Sequence, residues 1–265
     1  MSEHGINDLQ NVIYHRPDIM VDRATHFCPG CGHGITQRLV GEVLDELDLK
    51  ERAICIGSIG CTVTAYEYFK VDGMEAPHGR APAVATAIKR CHPELVPFAI
   101  QGDGDLASIG MAEIVHAAAR GENITIIFAN NANYGMTGGQ LAPTTLMGMY
   151  TSSTVKGRKQ EHHGFPIRVS EMLATLDGPA YIARVSLHNP ANVRKARKAI
   201  ELAFRAPMAG LGLGLVEVLS MCPINWKVEP VQSLDWMVKN MIPQFPLGEF
   251  KCLPEVAEMK KVVKG

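Results

Sequence analysis

The chain has 265 residues, 46% hydrophobic and 20% charged, with a formal net charge of −1. That length suffices for one large domain with a buried core, and the near-neutral balance gives no attraction for nucleic acid. No apolar run reaches the ~18 residues needed to span a bilayer, and the first twenty residues lack a basic start followed by an apolar stretch. The expectation is a cytoplasmic protein without membrane or nucleic-acid partners. In that reducing setting seven cysteines do not read as a disulfide framework, and the odd count agrees.

An N-terminal arm, residues 1–24, leads into FCPGCGHG, Phe27 to Gly34, where Cys28 and Cys31 stand two residues apart. Taken alone, such a pair can ligate zinc, ligate an iron–sulfur cluster, exchange disulfides or pack. The spacing of apolar residues predicts a helix over 34–47. Short apolar runs predict strands at 52–58 and 95–102, and a helix follows over 106–121, with Gly121 as its left-handed stop. The next strand is 123–131. Residues 132–168 are rich in Gly, Thr, Ser, Pro and Lys without periodicity, the mark of a functional or mobile loop. A strand at 181–186 precedes a helix over 189–204, started by Asn189 as N-cap and Pro190 in the first turn. The last strand is 212–220. The tail after Cys222 mixes prolines with aromatic and apolar residues, as either an arm for a partner or a wrap on its own domain.

Strands that are apolar almost throughout, alternating with helices, indicate an α/β fold: a mainly parallel sheet with helices on both faces. The boundaries are an arm at 1–24, a cofactor-binding domain at 25–226 and a C-terminal extension at 227–265.

The densest chemistry lies at two strand ends. The strand at 95–102 runs into Gly102-Asp103-Gly104-Asp105, and the next ends in Asn130-Asn131, with 25 residues between Gly104 and Asn130. Parallel strands put both ends on the carboxyl edge where α/β sheets bind ligands. The glycines permit tight turning and close approach to phosphate. Asp103 and Asn131, with a backbone carbonyl and diphosphate oxygens, suit Mg²⁺. GDG alone would be an ordinary strand-to-helix turn; the asparagine pair makes it a site.

GDG, 25 residues, then NN resembles the diphosphate-binding motif of thiamine diphosphate (ThDP) enzymes. CPGCGHG, IGC (Ile59–Cys61), HGRAPAVATAIK (His78–Lys89), GDGDLASIG, NNANYGMTGGQLAPTT and CPINW (Cys222–Trp226) together resemble the β subunit of 2-oxoacid:ferredoxin oxidoreductases, in order over residues 25–226. The resemblance implies a ThDP-binding fold and a [4Fe–4S] cluster on Cys28, Cys31, Cys61 and Cys222. Cys₄ zinc, or packed or redox thiols, remain the alternatives. It further implies Mg²⁺ on Asp103, Asn131 and the Asn133 carbonyl. ThDP contacts would come from Ile59, Gly60, Cys61, Thr62, Gly104, Asp105, Gly135, Met136 and Thr137. His78 and Arg80 would reach the diphosphate or substrate end.

The implied activity is coenzyme A-dependent oxidative decarboxylation of a 2-oxoacid to acyl-CoA and CO₂, with electrons passing through the cluster to ferredoxin. The resemblance also implies that the carboxylate that activates ThDP comes from a partner α subunit; no pattern places Glu67, Glu75 or Glu113 correctly for that role. Further partners would be γ and ferredoxin-like δ subunits. Some relatives that take pyruvate or 2-oxoglutarate carry lysine where YGMTGGQ has Gly138. Its absence, with MTGGQLAPTT and LSMCPINW, points to a branched-chain substrate of the 2-oxoisovalerate type, with pyruvate, 2-oxoglutarate and aryl 2-oxoacids open. A non-redox ThDP decarboxylase subunit needs GDG…NN but not four cysteines, and a zinc-stabilised scaffold needs no ThDP. His33 is a cofactor neighbour or a packing residue. Cys55 reads as core, Cys91 and Cys252 carry no role, and the basic run Arg194, Lys195, Arg197, Lys198 reads as a solvated face.

Overall fold

The computed structural model describes residues 14–263; the first thirteen residues of the 1–24 arm lie outside it. Seven strands form one sheet: β1 (Ala53–Gly57), β2 (Asp72–Glu75), β3 (Val96–Gly102), β4 (Thr125–Asn130), β5 (Pro179–Ser186), β6 (Leu213–Leu219) and β7 (Gly248–Cys252), in the order β2-β1-β3-β4-β6-β5-β7. All neighbours are parallel except β5 and β7. The helices are α1 (Gly32–Glu46), α2 (Ala81–Cys91), α3 (Met111–Ala119), α4 (Gln160–His163), α5 (Val169–Ala174), α6 (Pro190–Met208), α7 (Pro223–Trp226), α8 (Gln232–Trp236), α9 (Ile242–Gln244) and α10 (Pro254–Met259).

The inner strands explain their own composition. Successive residues of β4 and β6 point to opposite faces: Ile127, Val216 and Val218 into a core with α1 and α6, and Ile126, Phe128 and Leu215 into a second core with α2 and α3. A strand covered on both faces has no polar side to show, so its sequence is apolar almost throughout. The cap of α6 is as expected, with the Asn189 side chain accepting from Asn192 N at 2.9 Å. Gly121 has φ +61.

The expected helix over 106–121 is two pieces. Asp105–Ile109 is a π-helical turn, closed by Gly110 N–H to the Asp105 carbonyl, and α3 follows. Such widened turns are frequent at functional sites, and this one leaves the Asp105 side chain aimed back at the sheet edge. The irregular stretch at 132–168 is ordered by one buried cation. Arg158 donates to the carbonyls of Ala142, Pro143, Thr145, His163, Gly164 and Phe165. Burial without a carboxylate lowers the pKa of this guanidinium. After α7 the tail runs through α8, a π-turn and α9 into β7, burying Met237, Met241 and Phe245 against the α1/α6 core. No helix among the described residues is long and apolar enough to cross a membrane.

Candidate active site

The chain leaves β1 for β2 on one side and takes up β3 on the other. The carboxyl ends of β1 and β3 therefore flank a switch-point crevice, the standard ligand position of open α/β sheets. A cavity of about 160 Å³ lies there. Its walls are the turn after β1 (Ile59, Gly60, Cys61), the turn after β3 (Gly102–Asp105) and the loop after β4 (Asn131 and Asn133–Thr137), with His33 and His78.

Asp103 is buried, and its carboxylate accepts from Gly104 N at 3.0 Å and from the Thr144 hydroxyl. Both donors are neutral. Burial pushes its pKa from an ordinary 3.8 up to about 7, against the opposing pull of those hydrogen bonds. Asp105 is saturated: Gly79 N (2.7 Å), His78 Nδ1, the Ser58 hydroxyl and Gln101 Nε2 (2.5 Å) all meet its two oxygens. Its carboxylate therefore locks the turns after β1, β3 and β2 together.

The loop after β4 doubles back sharply. Ala132 has φ +61, a left-handed conformation costly for a residue with a Cβ. The turn is held on every side. Ala132 N donates to Asn130 Oδ1 (3.1 Å), Thr145 Oγ1 to the Ala132 carbonyl (2.6 Å), and Trp226 Nε1 and Asn133 Nδ2 to the Asn131 carbonyl (2.9 and 2.8 Å). The ring of Tyr134 covers Gly104 so closely that a Cβ there would lie 2.2 Å from it.

A second cavity, about 220 Å³, is lined by Cys28, Cys31, Cys61 and Cys222 together with His26. Chain segments far apart converge on it for local reasons. Cys31 caps α1, whose Gly32 N–H bonds the Met221 carbonyl (3.1 Å) at the end of β6; a Cβ at Gly32 would strike Ser220 Oγ at 2.6 Å. His33 Nδ1 meets the same Ser220 Oγ at 2.8 Å, and burial lowers this histidine to about 4, with His26 adding to the effect. Cys61 follows β1, and His26 Nε2 bonds its carbonyl at 2.9 Å. Burial pushes Cys31 up to about 12 and Cys61 to about 11, and raises Cys222 as well.

The two cavities share Cys61, Asn131, Gly135 and Met136. A Cβ on Gly135 would sit 3.2 Å from Cys61 Sγ. Asn225, from the CPINW segment, ties them further: its Nδ2 reaches Asn133 Oδ1 (3.2 Å), the Gly135 carbonyl (3.0 Å) and Cys222 Sγ (3.5 Å).

Of the residues expected from sequence, Ile59, Gly60, Cys61, His78, Gly104, Asp105, Gly135, Met136 and Thr137 line the first cavity. Two do not. Thr62 is buried behind the turn, its hydroxyl without a partner among the described residues. Arg80 turns away to pair with Glu113 (2.5 Å) and the Ile109 carbonyl (3.0 Å). Glu67 pairs with Arg23, and Glu75 lies exposed on β2. Cys55 is buried in the core, Cys91 is exposed at the end of α2, and Cys252 is half-buried in β7. Unanticipated were His26, Tyr134, Thr144, Arg158 and Asn225. Tyr134 and Thr144 stood inside a motif already singled out, NNANYGMTGGQLAPTT, and Asn225 inside CPINW. Nothing marked His26 or Arg158.

Residues 58–209 match the family described as thiamine pyrophosphate enzyme, C-terminal TPP binding domain. The chain is 32% identical over 252 residues to a 2-oxoglutarate synthase subunit of Methanocaldococcus jannaschii, covering 92% of this chain and 87% of that one. This chain belongs to the thiamine diphosphate-binding subunits of the 2-oxoacid oxidoreductases. It is 44% identical over 239 residues to a ketoisovalerate oxidoreductase subunit of Methanothermobacter thermautotrophicus, covering 90% of this chain and 50% of that protein. The chain thus spans about half the length of these ketoisovalerate relatives. The fold matches a solved 2-oxoglutarate:ferredoxin oxidoreductase from Magnetococcus marinus with a TM-score of 0.75 at 24% identity, over 97% of this chain and 93% of that one.

Proposed function

We propose that this chain is the ThDP- and cluster-binding subunit of a 2-oxoacid:ferredoxin oxidoreductase, in which a 2-oxoacid and coenzyme A give acyl-CoA and CO₂ while ferredoxin is reduced. The observation that carries the reading is the shared wall. Four thiols surround one cavity, and Cys61 and Gly135 separate it from the cavity of Asp103 and Asn131.

The residues fit Mg²⁺ and the diphosphate end of ThDP. A buried carboxylate with only neutral donors favours a cation, and Asn131 and the Asn133 carbonyl stand on the same turn. At Gly60 and Gly102 a Cβ would meet nothing within 4 Å, leaving room for phosphate. The donor set of the second cavity fits a [4Fe–4S] cluster. Four cysteine thiols line that one cavity, the ligand set such a cluster takes. When bound, ThDP supplies the nucleophilic carbon and the electron sink, and the cluster a one-electron acceptor. The chain's part is to hold them. Asp103, Asn131 and Asn133 would fix the metal, the backbone at Gly104, Asp105, Gly135 and Met136 would meet the cofactor, and Gly135 keeps the wall thin.

Among the described residues the only carboxylates lining the cofactor cavity are Asp103 and Asp105, and both are engaged. This supports a partner α subunit as the source of the carboxylate that activates ThDP. Met136, Ile224 and Tyr150 support its docking nearby, exposed by 58%, 63% and 70%.

A branched-chain 2-oxoacid is the proposed substrate. Gly138 offers no cation for a second carboxylate. Gly138 lines a hollow of mixed character, with Leu146, Met149, Val155 and Trp226 on its walls beside Thr151, Ser152, Asn225 and Lys227, so the substrate reading rests on Gly138 and on the relatives. The 43–44% identity to two ketoisovalerate oxidoreductase subunits agrees.

The test is anaerobic purification with the co-expressed partners, then iron and sulfide analysis and EPR before and after dithionite, for wild type and Cys222→Ala. Loss of one reducible cluster signal in the variant is the expected result. Zinc in place of iron, or no metal under strict anaerobiosis, overturns the redox reading and leaves a non-redox ThDP decarboxylase subunit. Comparing kcat/KM for 2-oxoisovalerate, pyruvate and 2-oxoglutarate decides the substrate.

A further inference from the structure

Behind the asparagine turn, in the middle of the sheet, lies a charged network that the cofactor site does not explain. Arg184 on β5 and Glu217 on β6 are register partners, and both side chains are essentially inaccessible. Glu217 Oε2 pairs with Arg184 Nε at 2.8 Å and accepts from the Ser170 hydroxyl at 2.5 Å. The guanidinium also grips Glu171 through both terminal nitrogens (3.0 and 2.5 Å) and lies 4.8 Å from the centroid of the Phe250 ring. Buried ion pairs contribute little to net stability, because desolvation offsets their attraction. The reason for this one lies at the other carboxylate oxygen. Glu217 Oε1 accepts from Asn130 Nδ2 at 2.8 Å, on the last residue of β4.

A carboxylate only accepts hydrogen bonds. Asn130 must therefore present its NH₂ to Glu217 and turn its carbonyl oxygen the other way, onto Ala132 N (3.1 Å). That bond closes the turn in which Ala132 sits at φ +61 and from which Asn131 and Asn133 are displayed. A glutamine at 217 has both a donor and an acceptor end and would not dictate the orientation of Asn130. Methionine or leucine would fill the space and leave Nδ2 unpaired.

We propose that Glu217 is a positioning residue for the cofactor loop: held by Arg184 and Ser170, it sets the orientation of the Asn130 amide and, through it, the strained turn that aims Asn131 and Asn133 at the metal. This rests on the Mg²⁺–ThDP reading above.

Trp226 supplies the reporter, since its indole N–H bonds the Asn131 carbonyl and its ring stacks on Trp236 at 4.2 Å. These are the two tryptophans of the chain. The complex with its partner subunits, stripped of divalent ions and cofactor, is titrated with ThDP at a series of Mg²⁺ concentrations. Tryptophan fluorescence is followed, with single Trp226→Phe as the control for signal origin. Unliganded melting temperature is measured in parallel. Glu217→Gln and Asn130→Ala should each raise the Mg²⁺ midpoint by about tenfold or more, as loss of an outer-shell partner commonly does. Asn130→Ala leaves the Arg184 cluster intact and so keeps the test alive if Glu217→Gln folds poorly. Wild-type Mg²⁺ midpoints in both variants, with only the melting temperature lowered, would make the network structural and overturn the proposal. Asp103→Ala is the separate control: if it binds ThDP with wild-type Mg²⁺ dependence, the metal-site reading itself is wrong.

Discussion

Asp103→Asn separates what the site costs from what it does. With no cation bound, the carboxyl is buried and its pKa stands at about 7 rather than an ordinary 3.8. Between those values the unfolded chain releases the proton and the folded chain keeps it, so folding stability falls as pH rises. The loss begins near 4, is complete just above 7, and amounts to about 4 kcal/mol. An amide at this position avoids it. Its oxygen can accept from Gly104 N, and its NH₂ can donate to the Thr144 hydroxyl, which turns to accept. In the stripped protein, Asp103→Asn should therefore match wild type near pH 4 and exceed it at pH 8. Each kcal/mol is worth roughly 2–4 °C in a chain of this size, so the upper limit of the gain is about 16 °C. The same variant should lose Mg²⁺-dependent ThDP retention. The assay is thermal unfolding in EDTA across pH 4.5–8, followed by the same scans with Mg²⁺ and ThDP, which should stabilise wild type alone. A variant less stable than wild type by the same amount at both ends of the range would refute the reasoning, because the deficit would then owe nothing to a buried charge.

Other outcomes follow from single contacts. Gly104→Ala drives a methyl into the Tyr134 ring, where a Cβ would lie 2.2 Å away. It should cost about 1–3 kcal/mol in urea unfolding and displace Asn133 enough to weaken ThDP binding. Arg158→Lys leaves three donors for six carbonyls and should destabilise by about 3 kcal/mol; a change below about 1 kcal/mol would mean the 142–165 loop stands without its cage. In metal-free protein Cys61, at about 11, is almost wholly protonated at pH 8. Its alkylation by iodoacetamide, read by mass spectrometry, should be slow and rise about tenfold per pH unit. Rapid labelling at pH 7 would contradict the burial described for it.

The central strands were readable because burial on both faces leaves a nearly continuous apolar run, a signal each segment carries by itself. β2 and β7 carry none. Asp-Gly-Met-Glu and Gly-Glu-Phe-Lys-Cys become strands only because β1 and β5 offer them free edges. The same division runs through the site. Asp103 and Asn131 were singled out by the GDG and NN spacing and the four cysteines by the resemblance, and the structure lines one cavity with the first pair and a neighbouring one with the thiols. Thr144, Arg158, Asn225 and Glu217 were not legible, since a threonine or a glutamate says nothing until folding puts a particular acceptor or donor in front of it. Arg80, expected at the cofactor because HGRA carries the resemblance, does not line the cavity and pairs with Glu113.

The last of the described strands is the one that seals the sheet. β5 is eight residues long and buried throughout, and until residues 248–252 emerge from the ribosome one whole side of it has no partner. Such an edge is a template for pairing between chains. β7 replaces it with a five-residue border bearing Glu249 and Lys251, and β2 closes the opposite border with Asp72 and Glu75. A chain cut before Gly248 would keep every residue of the cofactor site and still tend to aggregate while it is being made. The shield of this edge is thus supplied by a segment remote in sequence from the chemistry.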